Sequence, residues 1–351
     1  MSNKKTLYII GAGASSEAGL PTGPELKKRI TNLLDIRFNY GDTQLSGDSC
    51  IYRALNEHVK SNSQTNMGQY LKAAWHIRDA MPQAISIDNF IDINNDDEKI
   101  ELCGKLAIVR SILEAERNSI LYIDPSNSFN RLNISNPTLK EAWYTSFMQL
   151  LTENCMKKNL PKRLESISLV VFNYDRCIEH FLCHSLQNFY KLEPNEAGKL
   201  VQAIEIYHPY GVVGNLPWQG DPSVGFGVKP NSQSLLYLAS QIKTFTEGTD
   251  PKSSDIQAIR NNVNNADYVV FLGFAYHKQN MDLLMPGGPI INSSKLRSCF
   301  GTAKGISDHN CVIIKDELKA FYKHDTDYLI IDNKLDCNGL FEEFWRSLSL
   351  N

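Results

Sequence analysis

The sequence predicts an α/β fold, a mostly parallel sheet with helices on both faces plus a large helical insertion, and three observations carry that prediction. An apolar run at 7–10 leads through a glycine-rich loop into a helical pattern. From about 36 to 165 strand signals almost vanish and helical stretches replace them. Beyond 165 strands and helices alternate, the pattern of a parallel sheet buried on both sides. The 351 residues suffice for a substantial core. They divide into a sheet domain built from 1–36 and 165–335, an inserted helical region at 37–164 and a C-terminal amphipathic helix at 336–351.

The first strand, 7–10, is uninterrupted apolar sequence, as buried parallel strands are. Pro24 stands in the first turn of the next helix, where Leu26, Ile30, Leu33 and Leu34 recur at helical spacing. Helices are predicted over 51–59, 70–81, 98–121 and 139–155, with the Asn-, Ser- and Pro-rich stretch 124–137 as a surface loop. Strands are predicted at 168–172, 204–207, 268–274, 311–314 and 328–331, and further loops at 246–254 and 286–294. In the last helix Leu340, Phe341, Phe344, Trp345 and Leu348 form one stripe, which either packs on the domain or meets another chain.

Lys plus Arg number 36 against 39 Asp plus Glu, a net charge of −3, so no direct nucleic-acid binding is evident. The N-terminal apolar run is too short for a signal peptide or membrane span, and a cytoplasmic protein without membrane association is expected. Eight cysteines, at 50, 103, 155, 177, 183, 299, 311 and 337, include no C-x-x-C pair. That argues against a zinc ribbon or redox dithiol and for reduced thiols.

The glycine loop reads Gly-Ala-Gly-Ala-Ser-Ser-Glu-Ala-Gly-Leu-Pro-Thr-Gly from Gly11 to Gly23. Glycines between a strand and a helix let backbone amides approach phosphate oxygens, and the helix start adds a positive dipole end. Ser15 adds a hydroxyl. The ordinary dinucleotide fingerprint would need glycine where Ser16 stands and an acidic residue ending a second strand about 20 residues later. A Walker loop would need Gly-Lys-Ser/Thr, which is missing. Taken alone, the loop is either a phosphate cradle or a structural tight turn.

Three further strand ends bear on that choice. The strand at 168–172 runs into Asn173-Tyr174-Asp175, where Asp175 also suits the cap of a helix over 176–190. The strand at 204–207 runs into His208-Pro209-Tyr210-Gly211, placing an imidazole just beyond a carboxyl end, where open α/β sheets bind ligands. The strand after Asp267 runs into Gly273-Phe274, with Asn280 shortly beyond. A parallel sheet brings all four ends to one rim. Cys177, His180, Cys183 and His184 lie opposite an apolar stripe of Ile178, Phe181, Leu182 and Phe189; tetrahedral ligation from one straight helix is awkward, so no metal is expected there.

The ordered set of Gly-Ala-Gly-x-Ser, Asn-x-Asp after a strand, His before Gly and a strand ending in Gly resembles the sirtuin family, over about residues 5–35 and 165–335. The resemblance implies a Rossmann-like NAD-binding domain. Gly11, Ala12, Gly13 and Ser15 would line the NAD pyrophosphate, and Asn173 and Asp175 would stand beside the nicotinamide ribose. His208 would be the catalytic base, Gly273 with Phe274 would lie near the adenine ribose, and Thr22 and Asn280 would complete the cofactor-binding set. Sirtuin deacylases carry two C-x-x-C zinc pairs after the histidine, whereas 211–298 here holds no cysteine, so no zinc is expected.

The continuation Gly19-Leu20-Pro21-Thr22-Gly23-Pro24, the long helical insertion, Asn-Tyr-Asp and the segment Ser86-Ile87-Asp88-Asn89-Phe90-Ile91 are similar to the sirtuin-like effectors of bacterial antiphage systems. That group implies NAD as a substrate, hydrolysed to nicotinamide and ADP-ribose in antiviral defense by abortive infection. It implies a homo-oligomer and pairing with a HerA-type ATPase, a short Argonaute or another sensor. In such a hydrolase Asn173 is expected to fix a water or the ribose hydroxyls, Asp175 to favour the developing positive charge, and His208 to act as base. Two other readings share the fold. One is a catalytically silent sensor of NAD or ADP-ribose, which would need neither Asn173 nor His208; the other is an NAD-dependent protein deacylase.

Overall fold

The structure, a computed structural model, describes residues 4–39, 43–62, 66–126, 131–252, 255–285, 297–322 and 326–350. Its strands are β1 (Thr6–Ile10), β2 (Arg37–Phe38), β3 (Gln44–Ser46), β4 (Ile167–Val171), β5 (Glu205–Tyr207), β6 (Tyr268–Leu272), β7 (Arg297–Thr302) and β8 (Thr326–Asp332). Six of them form one sheet in the order β5-β4-β1-β6-β7-β8, every pair parallel, and β2 with β3 makes a small antiparallel ribbon. The chain starts at the centre, winds out to β5, crosses back and winds out to β8. This is the Rossmann-like order of a doubly wound α/β fold, with its reversal between β1 and β6.

All five residues of β1 are buried, because helices cover both faces. Successive side chains of a strand point to opposite faces. Accordingly Leu7 and Ile9 join Ile30, Ile51, Ile77 and Leu106 in one core, while Tyr8 and Ile10 join Trp143, Phe147, Phe181 and Phe341 in the other. The helical sequence between β3 and β4 is thus shared out. Helices Ser49–Ser61, Met67–Ala80 and most of Glu98–Asn118 back one face, and Trp143–Thr152 backs the other. The C-terminal helix Cys337–Leu348 packs on the domain against Trp143–Thr152 and β7, burying Leu340, Phe341 and Leu348.

Several sequence expectations need correction. The apolar run 311–314 lies inside the helix Asp308–Phe321: Ser307 caps it through the Asn310 amide, and Cys311, Ile314 and Leu318 share the buried stripe while Val312 and Ile313 are exposed. The strand β7 was not anticipated, since Arg297, Ser298, Gly301 and Thr302 break its apolar run. It lies between β6 and β8, its Cys299 and Phe300 join the two cores, the helix Cys337–Leu348 packs on it, and the Arg297 guanidinium donates to the carbonyls of Ala266 and Asn264. The helix expected over 139–155 breaks at Ala142, giving Pro137–Glu141 and Trp143–Thr152, because Glu17 Oε2 accepts the Trp143 amide at 2.8 Å. The loop at 246–254 holds the short helix Phe245–Thr249, and 286–294 lies outside the described residues. Phe189, placed on the apolar stripe of the helix Cys177–Tyr190, is 59% exposed. No helix among the described residues is long and apolar enough to cross a membrane.

Candidate active site

The carboxyl ends of β1 and β6 meet at the reversal point of the sheet, and glycine is what lets them meet. The Gly11 amide donates to Leu272 O at 2.9 Å and the Gly13 amide to Gly273 O at 3.0 Å. A Cβ on Gly11 would stand 2.5 Å from Gly273 O, and one on Gly273, whose φ is +56°, would overlap the Ala14 amide nitrogen. The amides of Gly11 and Gly13, expected to face phosphate oxygens, therefore serve strand-end packing here. A short helix, Ala12–Ser16, starts directly after Gly11, earlier than the helix anticipated at Pro24. Thr302 Oγ1, at the end of β7, accepts the Gly273 amide at 2.8 Å and braces the same turn. Gly273→Ala is expected to cost about 2–4 kcal/mol from strain and overlap; a melting temperature equal to wild type would contradict this packing.

Ser15 joins the end of β1 to the end of β4. The Asn173 side-chain amide donates to Gly11 O at 3.0 Å and to Ser15 Oγ at 2.8 Å, and Ser15 also hydrogen-bonds the Asp175 carboxylate. The helix runs Cys177–Tyr190 with Arg176, not Asp175, at its N-cap position; Asp175, one residue earlier, accepts the Cys177 amide on Oδ1 at 3.0 Å. Burial pushes the Asp175 carboxyl above its ordinary pKa, opposed by the Ser15 and Cys177 hydrogen bonds. Ser15, Asn173 and Asp175 are all buried, so their polar atoms are held by one another rather than by solvent.

His208, beyond β5, closes the cluster. Its Nδ1 lies 3.1 Å from Asn173 O and its Nε2 2.7 Å from Glu179 Oε1. A carbonyl only accepts, so Nδ1 carries hydrogen, and a further proton lies between Nε2 and Glu179. Burial pushes the imidazole pKa down, but the Glu179 charge and hydrogen bond, the Asn173 carbonyl and Asp175 outweigh it, and the net shift is upward. A raised folded pKa means that the pair's stabilisation is complete below the unfolded value of about 6.5 and is lost as pH rises through the folded value. Glu179 Oε2 is buried without a hydrogen-bond partner among the described residues. Glu179→Gln removes the charge that opposes burial, so imidazole NMR titration is expected to show the His208 pKa falling below its wild-type value; an unchanged titration would detach Glu179 from His208.

The remaining candidates are less unified. The Phe274 ring packs 5.0 Å from Phe172, which lies 5.8 Å from Tyr210, whose hydroxyl donates to Asn280 Oδ1 at 2.6 Å. Phe274 and Asn280 thus border the turn that follows His208. Asp88, from the segment Ser86–Ile91, is one of two carboxylates whose field helps burial raise the Tyr210 pKa; burial lifts its own to about 6. Thr22 serves the start of the helix Gly23–Leu34: its backbone amide and its hydroxyl donate to Glu25 Oε2 at 2.8 and 2.9 Å. Ala12 opens the short helix after β1.

Beyond Glu179, three further residues that organise the rim escape the sequence. The buried Arg176 follows Asp175 directly and pairs with the buried Glu116 of helix Glu98–Asn118. Glu17 accepts the amides of Trp143 and Cys337, tying the glycine loop to two helices. A lone acidic residue on an otherwise apolar helix face is the signal that Glu179 and Glu116 offered.

Among the described residues no group of three or more His, Cys, Asp or Glu is arranged to hold a metal ion. All eight cysteines are buried free thiols. Comparison with known proteins adds no family: no protein-family model matches the chain, and no curated protein matches it in sequence.

Proposed function

We propose that this chain is an NAD glycohydrolase, cleaving the nicotinamide–ribose bond to give nicotinamide and ADP-ribose. The observation that supports it most is the convergence of Ser15, Asn173, Asp175 and His208, from three strand ends, beside the reversal point of a doubly wound sheet, where such sheets bind dinucleotides. In the reaction the C1′–N1 bond breaks with its electron pair passing to the nicotinamide nitrogen, and the ribose carbon gains positive charge. A water oxygen bonds to that carbon and releases one proton. Asn173 positions the water or the ribose hydroxyls, Asp175 favours the developing charge, and His208, once its shared proton has left, receives the new one. Turnover therefore rises with pH through the elevated His208 value.

The resemblance to sirtuin-like effectors extends this to an NAD-depleting antiphage role in the cytoplasm, as a homo-oligomer partnered by a HerA-type ATPase or short Argonaute. The burial of Ser15, Asn173 and Asp175 supports an enzyme held shut until triggered. A second reading, a silent NAD or ADP-ribose sensor, is favoured by one observation: both His208 nitrogens are already hydrogen-bonded. Incubating the purified chain with NAD, with and without an acetylated peptide, separates the readings. Peptide-independent nicotinamide and ADP-ribose support hydrolysis, peptide-dependent nicotinamide release indicates a deacylase, and NAD binding without nicotinamide, both alone and with a HerA-type ATPase or short Argonaute added, indicates the sensor.

A further inference from the structure

We propose that the cleft of about 370 Å³ between the β2–β3 ribbon and the helices Ser49–Ser61 and Glu98–Asn118 binds a small phosphate-bearing anion of pyrophosphate size. None of the rim residues described above lines it. Three cations do, each from a different place in the chain: Arg53, Arg110 and Lys229. The opposing carboxylate in the lining is Asp48, and it is committed: Oδ1 accepts the amides of Cys50 and Ile51 at 2.8 and 2.9 Å, and Oδ2 accepts Arg110 Nε at 2.9 Å.

Arg110 also stands 3.6 Å from Glu114, so it is a partly neutralised wall of the cleft. Arg53 and Lys229 have no ion pair with any described residue, although Arg53 hydrogen-bonds the Cys50 thiol. Both residues are exposed, and both reach the same space from helix Ser49–Ser61 and from the turn before helix Ser232–Ala239. Two uncompensated cations across one cleft, with a guanidinium fork among the donors, match the charge and oxygen array of a phosphate better than any neutral ligand. The volume sits at the small end of ligand sites. No aromatic side chain is in the described lining, so nothing offers a nucleobase a stacking surface. The chain's net charge of −3 disfavours a polynucleotide in the same place.

The test is isothermal titration of the full chain with inorganic pyrophosphate. Wild type is expected to bind, with affinity falling as salt is added, and the double variant Arg53→Glu/Lys229→Glu to bind at least roughly tenfold more weakly, about 1.4 kcal/mol. Lys157→Glu/Lys158→Glu, in a second cleft beside Glu196, should bind as wild type does. Both Arg53 and Lys229 are exposed, so the first variant should melt normally; if it does not, Arg53→Gln/Lys229→Gln makes the same comparison. Absence of heat at millimolar pyrophosphate, undiminished binding in the Arg53/Lys229 variants, or loss of binding in the Lys157/Lys158 variant overturns the assignment. So does an oligonucleotide that binds through Arg53 and Lys229 when pyrophosphate does not.

Discussion

Replacing Glu116 by alanine is expected to cost about 3–5 kcal/mol of folding stability, because it strands a buried charge. Glu116 Oε1 accepts Arg176 Nε at 3.0 Å, and Oε2 accepts Arg176 Nη2 at 2.5 Å and the Gly227 amide at 2.9 Å. The Arg176 guanidinium is completed by Val224 O at 2.6 Å and Gly225 O at 3.2 Å. Alanine leaves the guanidinium without its counter-charge and the Gly227 amide without an acceptor, both buried away from bulk solvent. Because Arg176 follows Asp175 directly, the damage falls on the turn that holds Asn173 and Asp175. Denaturant unfolding reads the loss; a change below about 1 kcal/mol would contradict the account. A paired replacement, Glu116→Leu with Arg176→Met, should recover part of the stability, since no isolated charge then remains.

Asn173→Ala is expected to lower nicotinamide release by about 10²–10³-fold, the usual cost of removing one positioned donor from a charge-stabilising site. Its amide donates to both Gly11 O and Ser15 Oγ, so it holds the glycine loop as well as facing the reacting ribose in the proposed complex. The two roles separate by measurement. Loss of turnover with a near-native melting temperature and retained NAD binding supports the reactive role. A folded variant with full turnover removes Asn173 from the chemistry.

Five sheet strands, β1, β4, β5, β6 and β8, were legible because each carries apolar sequence that stops at a turn residue or a polar cluster; the inner strands β1, β4 and β6 are buried and need that composition, while the edge strands β5 and β8 are only partly covered. The strand β7 was hidden by Arg297 and Thr302, whose polar atoms find partners contributed by other strands and loops. Residues 311–314 looked like a strand because β-branched residues dominate, yet the cap at Ser307 and the stripe of Cys311, Ile314 and Leu318 lie in a longer window that favours helix. At the rim, Asn173, Asp175 and His208 could be placed from strand ends alone. Glu179 and Glu116 could not: an acidic residue on an apolar helix face signals burial but names no partner, and His208, 29 residues from Glu179, and Arg176, 60 from Glu116, meet them only in the fold. The glycine loop was legible as a place of close approach, but what approaches Gly11 and Gly13 in the structure is the backbone at Gly273.

The most direct test of the proposed chemistry is the rate of nicotinamide release from NAD, measured on one preparation scheme for wild type and His208→Ala, each alone and with a HerA-type ATPase or short Argonaute added. The expected result is release of nicotinamide and ADP-ribose in equal amounts by wild type in at least one condition, falling about 10²–10⁴-fold in His208→Ala while NAD binding persists. Wild type that binds NAD but releases no nicotinamide in either condition, or a His208→Ala variant as active as wild type, would contradict it.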